Sequence, residues 1–132
     1  MAPSNARRIL IVDDERDLVT PLMLRLNAAG RYEVTAALDG EDGLRKAQAL
    51  RPDVALIDLT MPEMDGWQLC RRLREDERTR GVRIVVMTAW ASPDLHRRAR
   101  EEGVARVLLK PFEERDLMAA LSPEPMARQE QS

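Results

Sequence analysis

The sequence predicts one α/β domain: a doubly wound parallel sheet of five strands with five helices covering both faces. Five short apolar runs carry this reading: Ile9–Val12, Tyr32–Leu38, Val54–Ile57, Ile84–Met87 and Val104–Leu109. Each is short and rich in branched side chains, as expected of strands buried on both faces. Amphipathic stretches of helical spacing separate the runs. Strands that alternate with helices build parallel sheets through right-handed crossovers.

The helices follow in order. Leu18, Leu22 and Leu26 stand four apart and make one apolar stripe. Leu44, Ala47 and Leu50 stand three apart and mark the second helix. Gly66–Glu77 reads as the third, with Leu69 and Leu73 facing inward. Ser92, Pro93 and Asp94 suit the N-cap, the first helical position and the positive end of the fourth, which Gly103 closes. Glu113–Leu121 makes a short, acid-first fifth helix.

Composition narrows the function classes. Hydrophobic residues make up 44% of the 132, enough for a core. The 21 basic and 23 acidic residues leave a net charge of −2, so no general attraction to nucleic acid or membrane is expected. Cys70 is alone, which excludes an internal disulfide, and a single histidine, His96, argues against a Cys/His zinc site. The run Ile9–Val12 after MAPSNARR is too short for a signal peptide, and no run approaches the roughly 18–20 apolar residues of a spanning helix. A cytoplasmic protein is expected, with residues 1–121 forming the domain. Residues 122–132, rich in Pro, Glu, Gln and Ser, read as a polar tail or the start of a linker.

Ligands of open parallel sheets sit beyond the carboxyl ends of the strands. There the first strand runs into Asp13 and Asp14, the third into Asp58, the fourth into Thr88 and the fifth into Lys110-Pro111. Three neighbouring carboxylates repel, so at neutral pH they need a cation or must hold a proton. Oxygen-only ligands favour a hard ion, Mg²⁺ above all. A carboxylate is also a competent nucleophile toward phosphorus, and phosphoryl transfer asks for charge neutralisation that Lys110 and Thr88 suit. Singly, each residue has an ordinary reading: Asp14 as a helix cap, Thr88 as a turn hydroxyl, Lys110 as a solvated charge. Of the 21 basic residues, however, only Lys46 and Lys110 are lysine, which hints that a compact point charge is wanted at Lys110. Without metal, Asp13→Asn is expected to relieve repulsion by on the order of 1 kcal/mol.

The segments ILIVDDE (9–15), DVALIDLTMPEMDG (53–66), VVMTAWA (85–91) and GVARVLLKPF (103–112) resemble the receiver domain of two-component response regulators over about residues 7–121. The resemblance implies strand order 2-1-3-4-5 and a signalling phosphoacceptor charged by a phosphohistidine donor, a sensor histidine kinase or a histidine phosphotransfer protein. It implies Asp58 as the phosphoacceptor. Asp14 would ligate Mg²⁺ directly, Asp13 mainly through water, and the Thr60 backbone carbonyl would be a further ligand. Thr88 would hydrogen-bond the phosphoryl group and swing inward on activation, and Lys110 would pair with a phosphoryl oxygen. Pro111 matches the family's cis-proline position, and Pro62 and Gly66 match the loop after the acceptor. The fourth helix, fifth strand and fifth helix would form the face that regulates a downstream protein, in a monomer or weak dimer.

One position departs from the family pattern. Three residues before Lys110 an aromatic ring is usual, and here stands Val107. Trp90, two residues after Thr88, is the candidate to carry that part of the switch. The remaining features have plain readings. Arg71, Arg72, Arg74, Arg78, Arg80 and Arg83 are interrupted by Glu75, Asp76 and Glu77 and read as a solvated face. His96, beside Arg97, Arg98 and Arg100, reads as surface or docking residue, not as a base. Cys70 reads as a small buried or half-buried side chain, and Met61 and Met64 as shields for the loop. Two other functions stand against the receiver reading. An aspartate-nucleophile phosphatase wants a second acid where Thr60 stands. A phosphorylation-independent, receiver-like interaction module would not need the five site residues. With eleven residues after the last helix, the expected output is protein contact, either as a stand-alone receiver or within a longer regulator.

Overall fold

The computed structural model describes residues 6–61 and 64–122 and alternates strand and helix five times. The strands are β1 (Arg7–Val12), β2 (Tyr32–Ala37), β3 (Val54–Asp58), β4 (Arg83–Thr88) and β5 (Arg106–Leu109). The helices are α1 (Arg16–Ala28), α2 (Gly40–Leu50), α3 (Gly66–Glu75), α4 (Leu95–Glu101) and α5 (Glu114–Leu121). All strand pairs are parallel, in the order β2-β1-β3-β4-β5. The expectations for Pro62 and for the tail beyond Ser122 lie outside the described residues.

Side chains alternate faces along a strand, and the inner strands sort the core by that alternation. Ile9, Ile11, Val54, Leu56, Val85 and Met87 pack with Val19, Leu22 and Leu26 of α1 and Leu117 and Leu121 of α5. Leu10, Val12, Ala55, Ile57, Ile84 and Val86 pack with Leu44 and Ala47 of α2 and Leu69, Cys70 and Leu73 of α3. One sheet thus supplies two apolar layers, and both faces must be covered for the strands to be stable. Cys70 is fully buried, as expected, which pushes its thiol pKa up to about 12.

The sheet edges depart from the expectation of strands buried on both faces. β2 and β5 are only half buried, because an edge strand has a neighbour on one side alone. The apolar residues Val104 and Ala105 precede β5 instead of belonging to it. Three helix boundaries also differ, the smallest difference being that of α5, which starts at Glu114 with Glu113 as its N-cap. α3 stops at Glu75, not Glu77, because Asp76 turns to extended backbone and its carboxylate accepts the Arg78 N–H at 2.8 Å. α4 starts at Leu95. Ser92 and Pro93 instead belong to a preceding turn, in which Leu95 N–H donates to Ser92 O at 3.1 Å, and Asp94 is the N-cap.

Local caps set the starts of α2 and α3. The Asp39 carboxylate accepts from Asp42 N–H at 2.8 Å and caps α2, whose end is turned by Arg51 at φ +48. Asp65 and Gln68 form a reciprocal capping box on α3. The far end of α3 is held by buried Thr79, whose hydroxyl donates to Leu73 O at 2.7 Å. Thr79→Val keeps the shape but leaves that buried carbonyl without its partner. It is expected to cost about 1–2 kcal/mol in urea unfolding without changing the slope.

Candidate functional site

The four strand tips next to one another in the sheet, those of β1, β3, β4 and β5, carry the chemistry. Parallel pairing continues beyond the strands and aligns the tips: Leu59 N–H donates to Met87 O at 3.0 Å and Lys110 N–H to Thr88 O at 2.8 Å. Asp13, Asp14 and Asp58 each bring a carboxylate oxygen within 4.8 Å of the other two. Asp13 and Asp58 are 1% and 4% exposed, whereas Asp14 faces solvent. Thr88 is also buried. The sequence-predicted carboxylates therefore converge on one mouth.

Lys110 closes the cluster from β5. Its Nζ lies 3.1 Å from Asp13 Oδ2 and 3.6 Å from Asp58 Oδ1. Lys110 is thus mostly sheltered among acids and is not the solvated charge of its ordinary reading. Glu15, in the quoted DDE motif but given no role from the sequence, joins in two ways. Its N–H donates to Asp13 Oδ1 at 3.0 Å, and its exposed carboxylate lies 3.9 Å from Lys110 Nζ. These contacts shift the expected effect of Asp13→Asn. Asp13 already has a cation and an amide as partners, so Asp58 is the carboxylate less relieved of repulsion.

Asp58 accepts the Thr60 N–H at 3.2 Å. Its pKa is nevertheless pushed up to about 6, first by burial and then by the charge of Asp13. Burial leaves little water to share the charge, and the single cation is shared with Asp13. The Thr88 hydroxyl is turned toward its own loop, accepting from Trp90 N–H at 3.2 Å and donating to Trp90 O at 3.3 Å.

The loop after Asp58 needs a residue without a side chain. A Cβ on Gly66 would lie 2.5 Å from Asp58 O and 2.7 Å from Leu59 Cα, so only glycine lets α3 begin this close to the acceptor strand. Met61 and Met64 are buried on this side, as expected for shielding. The Lys110-Pro111 bond is cis. Val107 is half buried beside the α2–α3 apolar layer, and Trp90 is 72% exposed. His96 is exposed on α4.

The donor set is entirely oxygen, negatively charged and partly buried, which fits a hard divalent ion and gives no purchase to a soft one. Residues 9–122 match the response regulator receiver domain. The chain belongs to that family. Receiver domains are the phosphoacceptors of two-component signalling, work with histidine kinases and bind Mg²⁺ in an acidic pocket.

This receiver is 36% identical over 112 residues to the DNA-binding dual master transcriptional regulator RpaA of Synechocystis sp., covering 85% of this chain and 46% of that one. It is 38% identical over 112 residues to the response regulator PleD of Caulobacter vibrioides, covering 85% and 24%. The chain therefore spans less than half the length of these curated relatives. Among solved structures, chemotaxis protein CheY4 of Vibrio cholerae superposes with a TM-score of 0.82 at 32% identity, covering 88% of this chain and 96% of that one. The receiver domain of sensor histidine kinase PA1611 from Pseudomonas aeruginosa, described with magnesium coordinated in its active-site cleft, superposes at 0.79 and 32%, covering 88% and 94%. Among the described residues of this receiver no helix is long and apolar enough to cross a membrane.

The raised pKa of Asp58 has a sign that can be measured. An unfolded aspartate titrates near about 3.9, so between roughly pH 4 and 6 the folded state binds the extra proton and stability falls as pH rises. Above about pH 7 the penalty is complete. In metal-free buffer Asp58→Asn is expected to raise stability by about 2 kcal/mol at pH 7.5 and by almost nothing near pH 4, read from urea melts at both pH values.

Proposed function

We propose that Asp58 is the phosphoacceptor of this receiver. The carrying observation is one buried carboxylate flanked by two others within 4.8 Å and by an ammonium 3.6 Å away. A carboxylate oxygen of Asp58 attacks the phosphorus of a phosphohistidine donor. The P–O bond forms as the P–N bond breaks, and the imidazole leaves with the electron pair. The donor is a sensor histidine kinase or a histidine phosphotransfer protein. Water later hydrolyses the acyl phosphate, which makes the domain a signalling element and not a turnover enzyme on an outside substrate.

Asp13, Asp14, Asp58 and the backbone carbonyl of Thr60 would hold Mg²⁺. When bound, the ion supplies charge neutralisation for the phosphoryl oxygens. Lys110 serves another of those oxygens, and its contact with Asp13 keeps its ammonium at the mouth until the phosphoryl group arrives. Thr88 serves as hydrogen-bond donor once its hydroxyl leaves the backbone of Trp90. That exchange couples the site to the loop leading into α4. The face of α4, β5 and α5 then contacts a downstream protein, in a cytoplasmic monomer or weak dimer with no direct nucleic-acid or membrane contact.

The test is the intact mass after incubation with a small acyl-phosphate donor and Mg²⁺. One added phosphoryl group is expected on the native chain, and none on Asp58→Asn or in the presence of a chelator. An adduct that persists in Asp58→Asn would sink the assignment. A second measurement reads the switch: because Thr88 and Trp90 share two hydrogen bonds, beryllofluoride with Mg²⁺ is expected to change Trp90 emission, with Trp67→Phe used to isolate its signal. Unchanged emission together with unchanged amide shifts at 88–91 would remove Trp90 from the switch.

A further inference from the structure

Glu15 carries a side chain that its own helix does not use. It is the N-cap of α1, yet its carboxylate makes no capping bond, and the residues that cap well are Ser, Thr, Asp and Asn. Its backbone, by contrast, is held on both sides. The Glu15 N–H donates to Asp13 Oδ1 at 3.0 Å, and the Glu15 carbonyl accepts from Leu18 N–H and Val19 N–H, each at 3.0 Å. The side chain therefore leaves a fixed point on the rim, and its carboxylate comes to 3.9 Å from Lys110 Nζ.

Three carboxylates surround that ammonium: Asp13 at 3.1 Å, Asp58 at 3.6 Å and Glu15 at 3.9 Å. Asp13 and Asp58 belong to the acidic triad, and Glu15 does not. A divalent ion beside a carboxylate cancels much of the attraction that carboxylate has for an ammonium. Phosphorylation of Asp58 converts its carboxylate to an acyl phosphate and moves the charge onto the phosphoryl oxygens. The two nearest partners of Lys110 are thus the ones the reaction engages, and Glu15 is the one it does not.

Resting on the reading of Asp58 as phosphoacceptor, we infer that Glu15 is a positioning residue for the phosphoryl transfer. Its carboxylate keeps the Lys110 ammonium at the mouth while Asp13 and Asp58 are engaged, so that the ammonium meets a phosphoryl oxygen there. Glu15 acts only through Lys110. Its side chain is 63% exposed and water screens the pair, so the effect is modest, about threefold.

The experiment measures Mg²⁺ affinity and, at saturating Mg²⁺, beryllofluoride affinity from the fluorine NMR signal of the bound ligand. Two variants separate charge from reach. Glu15→Gln removes the charge, and Glu15→Asp keeps it but withdraws the carboxylate by a methylene. Aspartate is also the better cap, so a loss in Glu15→Asp does not come from a weakened α1. Both variants are expected to weaken beryllofluoride about threefold, and Glu15→Asp to keep the native Mg²⁺ affinity. In a Lys110→Gln background the same substitutions are expected to change nothing. The Lys110 ammonium resonance, assigned with Lys46→Arg because the chain has only these two lysines, is expected to shift in both variants at saturating Mg²⁺. Native beryllofluoride affinity in Glu15→Asp overturns the positioning role, as does a loss that persists without the lysine. Should Lys110→Gln fail to fold, an unshifted ammonium resonance overturns it instead. If the native chain is labelled on Asp58 and the Glu15 variants match it, the role of Glu15 alone falls. A native chain that is not labelled takes the phosphoacceptor reading and this one down together.

Discussion

The cluster of Asp13, Asp14 and Asp58 is the constraint on which the rest of the structure depends. Parallel pairing of β1 with β3 puts two acidic strand ends side by side, and burial of Asp13 and Asp58 denies them the water that would screen their repulsion. The fold answers with one ammonium from β5, two strands away from β3 in the sheet order. One cation against three carboxylates leaves the site short of positive charge. Burial first and that deficit second raise the pKa of Asp58, and the deficit suits the site to a divalent ion.

The same topology polarises the molecule along its strands. In a parallel α/β fold the helix amino ends gather at the carboxyl ends of the strands, where their partial positive charge favours anions. The helix carboxyl ends gather at the opposite pole. There Arg7, Arg83 and Arg106 begin their strands, Arg31 stands just before β2 and Arg51 just before β3. The bonds of Arg7 and Arg83 to the last carbonyls of α5 show this complementarity directly.

Between the poles, polar contacts tie α4 to α3. Arg98 stacks over Trp67 at 4.9 Å, and Glu102 accepts from Arg71 at 2.7 Å and from Arg74 at 3.4 Å. Only Leu95 and Ala99 of α4 are buried. A seven-residue helix with two buried residues has few apolar contacts to hold it in place. The basic stretch that reads as a solvated helix face in the sequence is in part this seam, which periodicity alone does not reveal.

The sequence by itself determined the fold class, the five strands and helices and the rim residues, because strand burial and helical spacing are local patterns that composition writes plainly. Asp13, Asp14, Asp58, Thr88 and Lys110 were legible because each ends a strand or follows one within two residues, and in a parallel sheet that position is a place in space. The tertiary structure alone decided which carboxylate is strained. Lys110 lies closer to Asp13 than to Asp58, and Glu15 lends Asp13 its amide, contacts that no spacing encodes. It also decided the half-burial of β2 and β5, since being an edge depends on strand order, and the delayed start of α4, where backbone turn geometry overrode a good capping sequence. The arginines at the foot of the sheet were the least legible of all. They are 76 and 23 residues apart in the chain, and only strand register and the end of α5 bring them onto one face.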